Sequence, residues 1–295
     1  MIATTGFFDG VHLGHRLVIE RLVSLARERG DESLVVTFWP HPRAVLQDGA
    51  RELRLLNSLE EKKELLRSLG VDRVEVLDFT RSFAALTAEQ YLREILRDRF
   101  GVTTLLMGYD NRLGSDRLTA DTLKPIAEGI GMELKELLPL SFRPSEASGE
   151  ISSTQIRTAL ENGDIVSGAE MLGYGYSLKG VVVAGNRLGR TIGFPTANMK
   201  LYEPLKLVPG RGVYAVEAEV LGKKYRGMTN IGLRPTVGGS FTTIETHILD
   251  FDEDIYGLPL RITFLRRLRD EVHFPSLEAL KDQLEKDREC CREQK

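Results

Sequence analysis

At 295 residues the chain is long enough for one large domain or two ordinary ones, and its 42% hydrophobic and 28% charged content is that of a globular protein. A net charge of −3 argues against bulk electrostatic binding of nucleic acid, which wants a strong basic excess, but leaves room for local basic clusters that meet phosphates. No run of about 18 apolar residues and no basic-then-apolar start is present. The expectation is therefore a cytoplasmic protein that neither spans a membrane nor is exported.

The first half alternates strand-like and helix-like segments. Ile2–Thr5 is a short apolar run ending at a glycine-rich turn, and Arg16–Arg29 spaces Leu17, Ile19, Leu22, Val23 and Leu25 as a helix does. Ser33–Phe38 predicts a strand stopped by Trp39-Pro40-His41-Pro42. A helix over Ser58–Leu69 leads into a strand over Val71–Leu77, and a helix over Ala88–Phe100 leads into a buried strand over Thr103–Met107. Such β-then-α repetition predicts a parallel, doubly wound sheet that binds ligands beyond the carboxyl ends of its strands. Turns at Gly6, Pro40 and Gly108 all fall on that edge.

The rhythm changes after about Gly173. Tyr174–Lys179 reads as a linker, and closely spaced β segments follow at Gly180–Ala184, Gly212–Val220, Lys223–Asn230, Thr242–Leu249 and Leu260–Arg266. Turns such as Leu221-Gly222-Lys223 and Asp252-Glu253-Asp254 separate them, which predicts an antiparallel barrel. A last helix runs from Ser276 to near the end, with Leu277, Leu280 and Leu284 on one face. The adjacent Cys290 and Cys291 form neither a disulfide framework nor a metal-ligand pattern, and read as reduced, incidental thiols.

Four segments carry chemistry. Gly6–His15 (GFFDGVHLGH) leads from a strand through Gly6, Gly10 and Gly14 into a helix. Glycines let backbone amides approach phosphates, and the helix N-terminus adds positive charge. His12 and His15, two of only five histidines in the chain, fall in this loop and can donate hydrogen bonds to phosphate oxygens. Ile151–Arg157 (ISSTQIR) opens a helix with hydroxyl caps and places Arg157 one turn in, able to reach charge on a triphosphate. Gly180–Asn198 (GVVVAGNRLGRTIGFPTAN) offers a glycine loop, with Thr196 and Asn198 as oxygen ligands two residues apart, suited to a hard ion such as Mg2+. In Thr242–Asp250 strand alternation puts Thr243, Glu245 and His247 on one face.

The histidine string resembles the HxGH signature of the nucleotidyltransferase superfamily, in the form seen in bacterial bifunctional riboflavin kinase/FAD synthetases. Pro40-His41-Pro42 and the ISSTQIR segment are similar to two further segments of that family. Gly108–Gly114 resembles a third, with Asn111 and Leu113 where the family usually has phenylalanine. GRTIGFPTAN closely resembles the family's riboflavin kinase motif GRxxGFPTAN. The resemblance covers the chain from Gly6 to about Arg288.

It implies an α/β fold class: a Rossmann-like nucleotidyltransferase domain with a parallel sheet over residues 1–173, then an antiparallel six-stranded β-barrel with a terminal helix over residues 174–295. It implies phosphorylation of riboflavin with MgATP to FMN, followed by AMP transfer from ATP to FMN, giving FAD and pyrophosphate. His12, His15, Arg157 and Glu245 would be catalytic, with Glu245 the general base. Nucleotide contacts would come from Gly6, Phe7, Asp9, Gly10, Gly14, Asp110, Ser152, Ser153, Thr154, Gly185, Gly189, Arg190, Gly193, Pro195 and Thr196. Thr196 and Asn198 would hold Mg2+. The ligands would be riboflavin, FMN, FAD and ATP, with neither nucleic acid nor membrane as a partner. Two alternatives stay open at this level: a kinase with a decayed adenylyltransferase module, and a non-catalytic flavin-binding regulator.

Overall fold

A computed structural model describes residues 1–46, 53–108, 111–137, 151–185, 188–236 and 239–292 of the chain. By its internal contacts the chain forms two units, Met1–Ser153 and Thr154–Lys295.

In the first unit the apolar runs become β1 (Ile2–Thr5), β2 (Ser33–Trp39), β3 (Arg73–Asp78), β4 (Thr104–Gly108) and β5 (Glu133–Leu137). They pair in parallel in the order β3-β2-β1-β4-β5. All four residues of β1 are buried, as expected of a central strand covered on both faces. The chain steps outward from β1 to β2 and β3, then returns to place β4 on the other side of β1. The crevice beyond the ends of β1 and β4 is therefore the switch point, where open α/β sheets bind their ligands.

The helices of this unit are α1 (Leu13–Arg29), α2 (Pro42–Leu46), α3 (Leu59–Ser68), α4 (Arg81–Ala84), α5 (Ala88–Gln90) and α6 (Ala120–Gly129). A Ser58/Glu61 capping box starts α3. The helix expected over Ala88–Phe100 is present, but Tyr91–Arg99 is wound as a π-helix. The glycine-rich loop ends sooner than the sequence suggests. His12 is itself the N-cap of α1, its Nδ1 accepting from the His15 amide at 3.4 Å, so Leu13, Gly14 and His15 form the first turn.

The second unit opens with most of α7 (Ser153–Glu161), followed by α8 (Ile165–Leu172). The barrel strands are β6 (Ser177–Val183), β7 (Ala197–Leu201), β8 (Gly212–Val220), β9 (Lys223–Thr236), β10 (Gly239–Ile248) and β11 (Pro259–Arg269). A short helix, α9 (Leu188–Thr191), lies between β6 and β7. The six strands close on themselves in the order β10-β7-β6-β11-β8-β9, antiparallel throughout.

Three details differ from expectation. Tyr174–Lys179 is not a linker as a whole: Ser177 begins β6, and Tyr176 is fully buried, donating its hydroxyl to the Leu207 carbonyl at 2.7 Å. On the final helix, α10 (Leu277–Arg292), Leu284 packs on the barrel but Leu277 is 69% exposed. Cys291 is not incidental. It is buried with Phe194, Ala215, Met228 and Leu249 beneath α10, and burial pushes its thiol up to about 11. Asp287 holds the same helix down, accepting from Arg269 Nε at 3.0 Å and Nη2 at 2.8 Å, and from Gln283 at 2.9 Å.

Candidate functional sites

Each unit gathers one constellation. In the first, the loop after β1 leads into α1 at the switch point. Phe8 (φ 52°) and Val11 (φ 38°) hold left-handed backbone there, which costs a non-glycine residue on the order of 1–3 kcal/mol. Such strain persists because the surroundings fix the loop. Thr37 donates to the Phe7 carbonyl at 3.2 Å, and Ser153 donates to the Asp9 carbonyl at 2.9 Å. The buried Asp9 carboxylate accepts from the Leu56 amide at 3.0 Å and the Asn57 amide at 3.3 Å, tying the loop to the entry of α3.

His12 and His15 stack at 3.6 Å between ring centroids, with 19° between their planes. Burial first, then the charges of His12 and Lys62, hold His15 well below the usual imidazole range. It is therefore neutral at pH 7, and its buried Nδ1 has no hydrogen-bond partner among the described residues. The His41 ring of the Pro-His-Pro turn meets Phe7 edge-on at 4.1 Å. The fold thus brings the turn after β2, the loop after β1 and Ser153 together. Gly6 and Gly10 lie in the loop and Gly14 in the first turn of α1. Ser152 precedes α7; the exposed Thr154 and the half-buried Arg157 lie on α7 within the second unit. Asp110 falls outside the described residues.

Lys62, on α3, was missed in the sequence. It is 0% exposed, its Nζ stands 3.4 Å from the Phe7 ring centroid, and burial lowers it to about 8. The stretch Leu59–Ser68 reads as an amphipathic helix with solvated charges, and nothing in its spacing marks one lysine as internal.

In the second unit the site is built on β7, β10 and the chain between β6 and β7. Glu245 on β10 is paired in register with Asn198 on β7 and with Asn230 on β9, so the three side chains share one face. The Glu245 carboxylate is a quarter exposed; Oε1 accepts from Arg234 at 3.3 Å and Oε2 from the Thr196 hydroxyl at 3.5 Å. A Cβ at Gly185 would run into the Asn198 side-chain amide, and one at Gly189 into the Phe194 carbonyl. Both glycines are therefore required by close approach. Gly189 and Arg190 belong to α9, and Gly193 follows it.

His247, buried on the same strand as Glu245, has its Nδ1 2.8 Å from the Pro195 carbonyl and its ring against Phe194. Burial lowers it, and the Pro195 bond opposes that. It fixes the Phe194–Thr196 segment beside Glu245. Arg190, Pro195 and Thr196 open on a cleft of about 180 Å³, whose far wall is residues 251–256. The Asp252–Asp254 turn, which the sequence shows only as a connection, thus lines a cleft that shares Thr196 with the Glu245 constellation.

Among the described residues no group of three or more His, Cys, Asp or Glu is placed to hold a metal. A cation here would rely on the neutral oxygens of Thr196 and Asn198 and on phosphates. That hard-oxygen donor set fits Mg2+, which keeps several waters and shares phosphate ligands.

Residues 1–155 match the family described as FAD synthetase, and residues 172–295 the family described as riboflavin kinase. The bifunctional riboflavin kinase/FMN adenylyltransferase of Bacillus subtilis (strain 168) is 37% identical over 293 residues, 98% of this chain and 90% of that one. The protein of the same description from Escherichia coli (strain K12) is 38% identical over 293 residues, 99% of this chain and 92% of that one. A crystal structure described as a macrolide-efflux protein from Streptococcus pneumoniae has a TM-score of 0.92 at 33% identity, covering 100% of this chain and 94% of that one. Among the described residues no helix is long and apolar enough to cross a membrane. With a histidine-bearing loop at the sheet's switch point, a glutamate beside a GFPTAN segment on the barrel, and relatives matching along nearly its whole length, the chain belongs to the bifunctional riboflavin kinase/FMN adenylyltransferase family.

Proposed function

We propose that the chain makes FAD from riboflavin in two ATP-dependent steps, one in each unit, and that it works in the cytoplasm, where its unbridged Cys290 and Cys291 fit a reducing compartment. The observation that carries this reading is the pairing of a histidine-bearing loop at the switch point of one unit with Glu245 beside Thr196 in the other.

In the barrel, riboflavin's 5′-hydroxyl gives its proton to the Glu245 carboxylate as the oxygen attacks the γ-phosphorus of ATP, releasing ADP. Thr196 and Arg234 orient that carboxylate, and Gly185, Gly189, Arg190, Gly193 and Pro195 shape the nucleotide loop. Mg2+, held through Thr196 and Asn198, would offset the negative charge of the phosphates.

In the first unit the phosphate of FMN attacks the α-phosphorus of ATP and pyrophosphate leaves. No side-chain nucleophile is needed, because the attacking oxygen is already anionic. Catalysis is positioning and charge stabilisation, assigned to His12, His15, Ser152 and Ser153, with Gly6, Phe7, Asp9, Gly10, Gly14 and Asp110 shaping the loops around the nucleotide. Riboflavin with MgATP, followed by chromatography, should yield FMN and then FAD, and supplied FMN should yield FAD directly. Absence of FAD from FMN with active riboflavin phosphorylation would reject the adenylyltransferase half.

We place the functional boundary between residues 173 and 174. A 174–295 fragment should fold and phosphorylate riboflavin, since a barrel of this size can own a core. A 154–295 fragment should melt higher, because it keeps α7 and α8. Their Ile156, Leu160, Ile165 and Leu172 are buried, and the Gly210 amide donates to the Leu160 carbonyl at 2.9 Å. Each such side chain contributes about 1.5–3 kcal/mol when fully buried. A soluble 174–295 fragment without kinase activity, beside an active full chain, would move the boundary upstream.

A further inference from the structure

Lys62 is fully buried on α3, and its Nζ has no hydrogen-bond partner among the described residues. An ammonium in that state is destabilising relative to a leucine or methionine of similar volume. Leu66, one turn further along α3, is a completely buried apolar side chain, so an apolar residue would suit this face of the helix. What distinguishes the place is the loop above it. Asp9 grips the Leu56 and Asn57 amides and so fixes the start of α3 against the loop, which delivers Nζ to the Phe7 ring at 3.4 Å. Phe7 in turn meets His41.

We propose that Lys62 is a positioning residue of adenylyl transfer: a buried cation under the Gly6–His15 loop that holds Phe7 in place and sets the positive field in which His15 and an incoming polyphosphate sit. It rests on the adenylyltransferase reading above. The titratable groups facing Lys62 are Asp9, whose charge favours the ammonium, and His15, which burial first, then His12, and then the ammonium hold below the usual imidazole range; His15 is in turn stacked on His12. The ammonium costs stability in the free protein and recovers that cost when four phosphate charges arrive at the loop. A residue retained only for the fold would not have this character.

The test is Lys62→Met, which keeps the apolar stem and removes the charge, beside Lys62→Arg, which keeps the charge. The full chain is used throughout. In the Met variant FAD formation from FMN should fall on the order of 100-fold in kcat/KM, the cost of a misplaced reacting geometry. Riboflavin phosphorylation should be unchanged, and the melting temperature equal or higher. The His15 imidazole, followed by NMR in the ligand-free chain, should titrate at higher pH in Lys62→Met and return toward the parent's position in Lys62→Arg.

The pH profiles should also separate. Lys62 loses its proton near 8 when folded and near 10.5 when unfolded, so between those values the unfolded chain binds the extra proton. Relative to the Met variant, the parent should therefore grow more stable from pH 8 to 10 while its FAD formation declines. A folded Met variant with FAD formation within two-fold of the parent overturns the proposal. So does one that loses both stability and activity while the His15 titration stays where it was, since Lys62 would then serve packing alone. The NMR titration answers even if the parent makes no FAD, so a failure of the functional reading and a failure of this one remain distinct.

Discussion

Glu245→Gln should lower riboflavin phosphorylation by about 100- to 10,000-fold, the usual loss on removing a general base. Glutamine keeps the size of the side chain and its carbonyl oxygen can still accept from Arg234 or Thr196, the two groups that hold the carboxylate now. What disappears is the basic lone pair that takes the hydroxyl proton. Binding of MgATP should change little, because Thr196, Asn198 and the close-packed Gly185 and Gly189 are untouched. FAD formation from supplied FMN should survive, because His12 and His15 belong to the other unit. A folded Glu245→Gln protein that phosphorylates riboflavin within a few-fold of the parent would remove the base assignment and leave Glu245 as a partner of Arg234 and no more.

His15→Ala should show the reverse pattern. Loss of one preorganised charge-stabilising donor costs on the order of 100-fold or more, so FAD formation from FMN should drop by at least that while riboflavin phosphorylation stays near the parental rate. The substitution is a clean one for the fold. The N-cap of α1 uses the His15 backbone amide, which alanine retains, and the Asp9 and Ser153 tethers of the loop do not involve the imidazole. Removing an imidazole that burial holds neutral also removes a group that must take up a proton when the chain unfolds in acid. Stability should therefore fall less steeply in the variant than in the parent as pH drops below the ordinary imidazole range near 6.5. Equal loss of both activities in a folded His15→Ala protein would point to one shared site.

The large outlines were legible because they are written in period and punctuation. Apolar runs such as SLVVTF and TTLLM, each ending at Pro40 or Gly108, announce buried parallel strands and their ligand edge. The short alternating segments after Gly180 announce a barrel. β5 was not visible: Glu133-Leu134-Lys135-Glu136-Leu137 is an outer strand with three charges, and its pattern serves a helix as well. β7 was hidden because Ala197–Leu201 follows the GFPT segment without a break, so Asn198 reads as loop when it is strand. At the sites, the glycines and histidines were legible because local backbone needs dictate them. Lys62, His247 and the Asp252–Asp254 wall were not, because each acquires its role from a distant segment: Phe7, Pro195 and Arg190.

The way each sheet ends has a consequence for the life of the chain before and after folding. The barrel hydrogen-bonds all the way round, so once closed it offers a neighbouring polypeptide no strand to copy. The parallel sheet has two outer strands, and both are studded with charge: Arg73, Glu75 and Asp78 on β3, Glu133, Lys135 and Glu136 on β5. Extending either edge with another strand would force those side chains, including the Arg73–Glu75 ion pair, against a second backbone. The interior strands β1, β2 and β4, apolar and β-branched, have no such guard and are the adhesive stretches of the sequence. Self-association is therefore a hazard of the interval before β3 and β5 dock, when a newly made first unit still shows those strands to its neighbours.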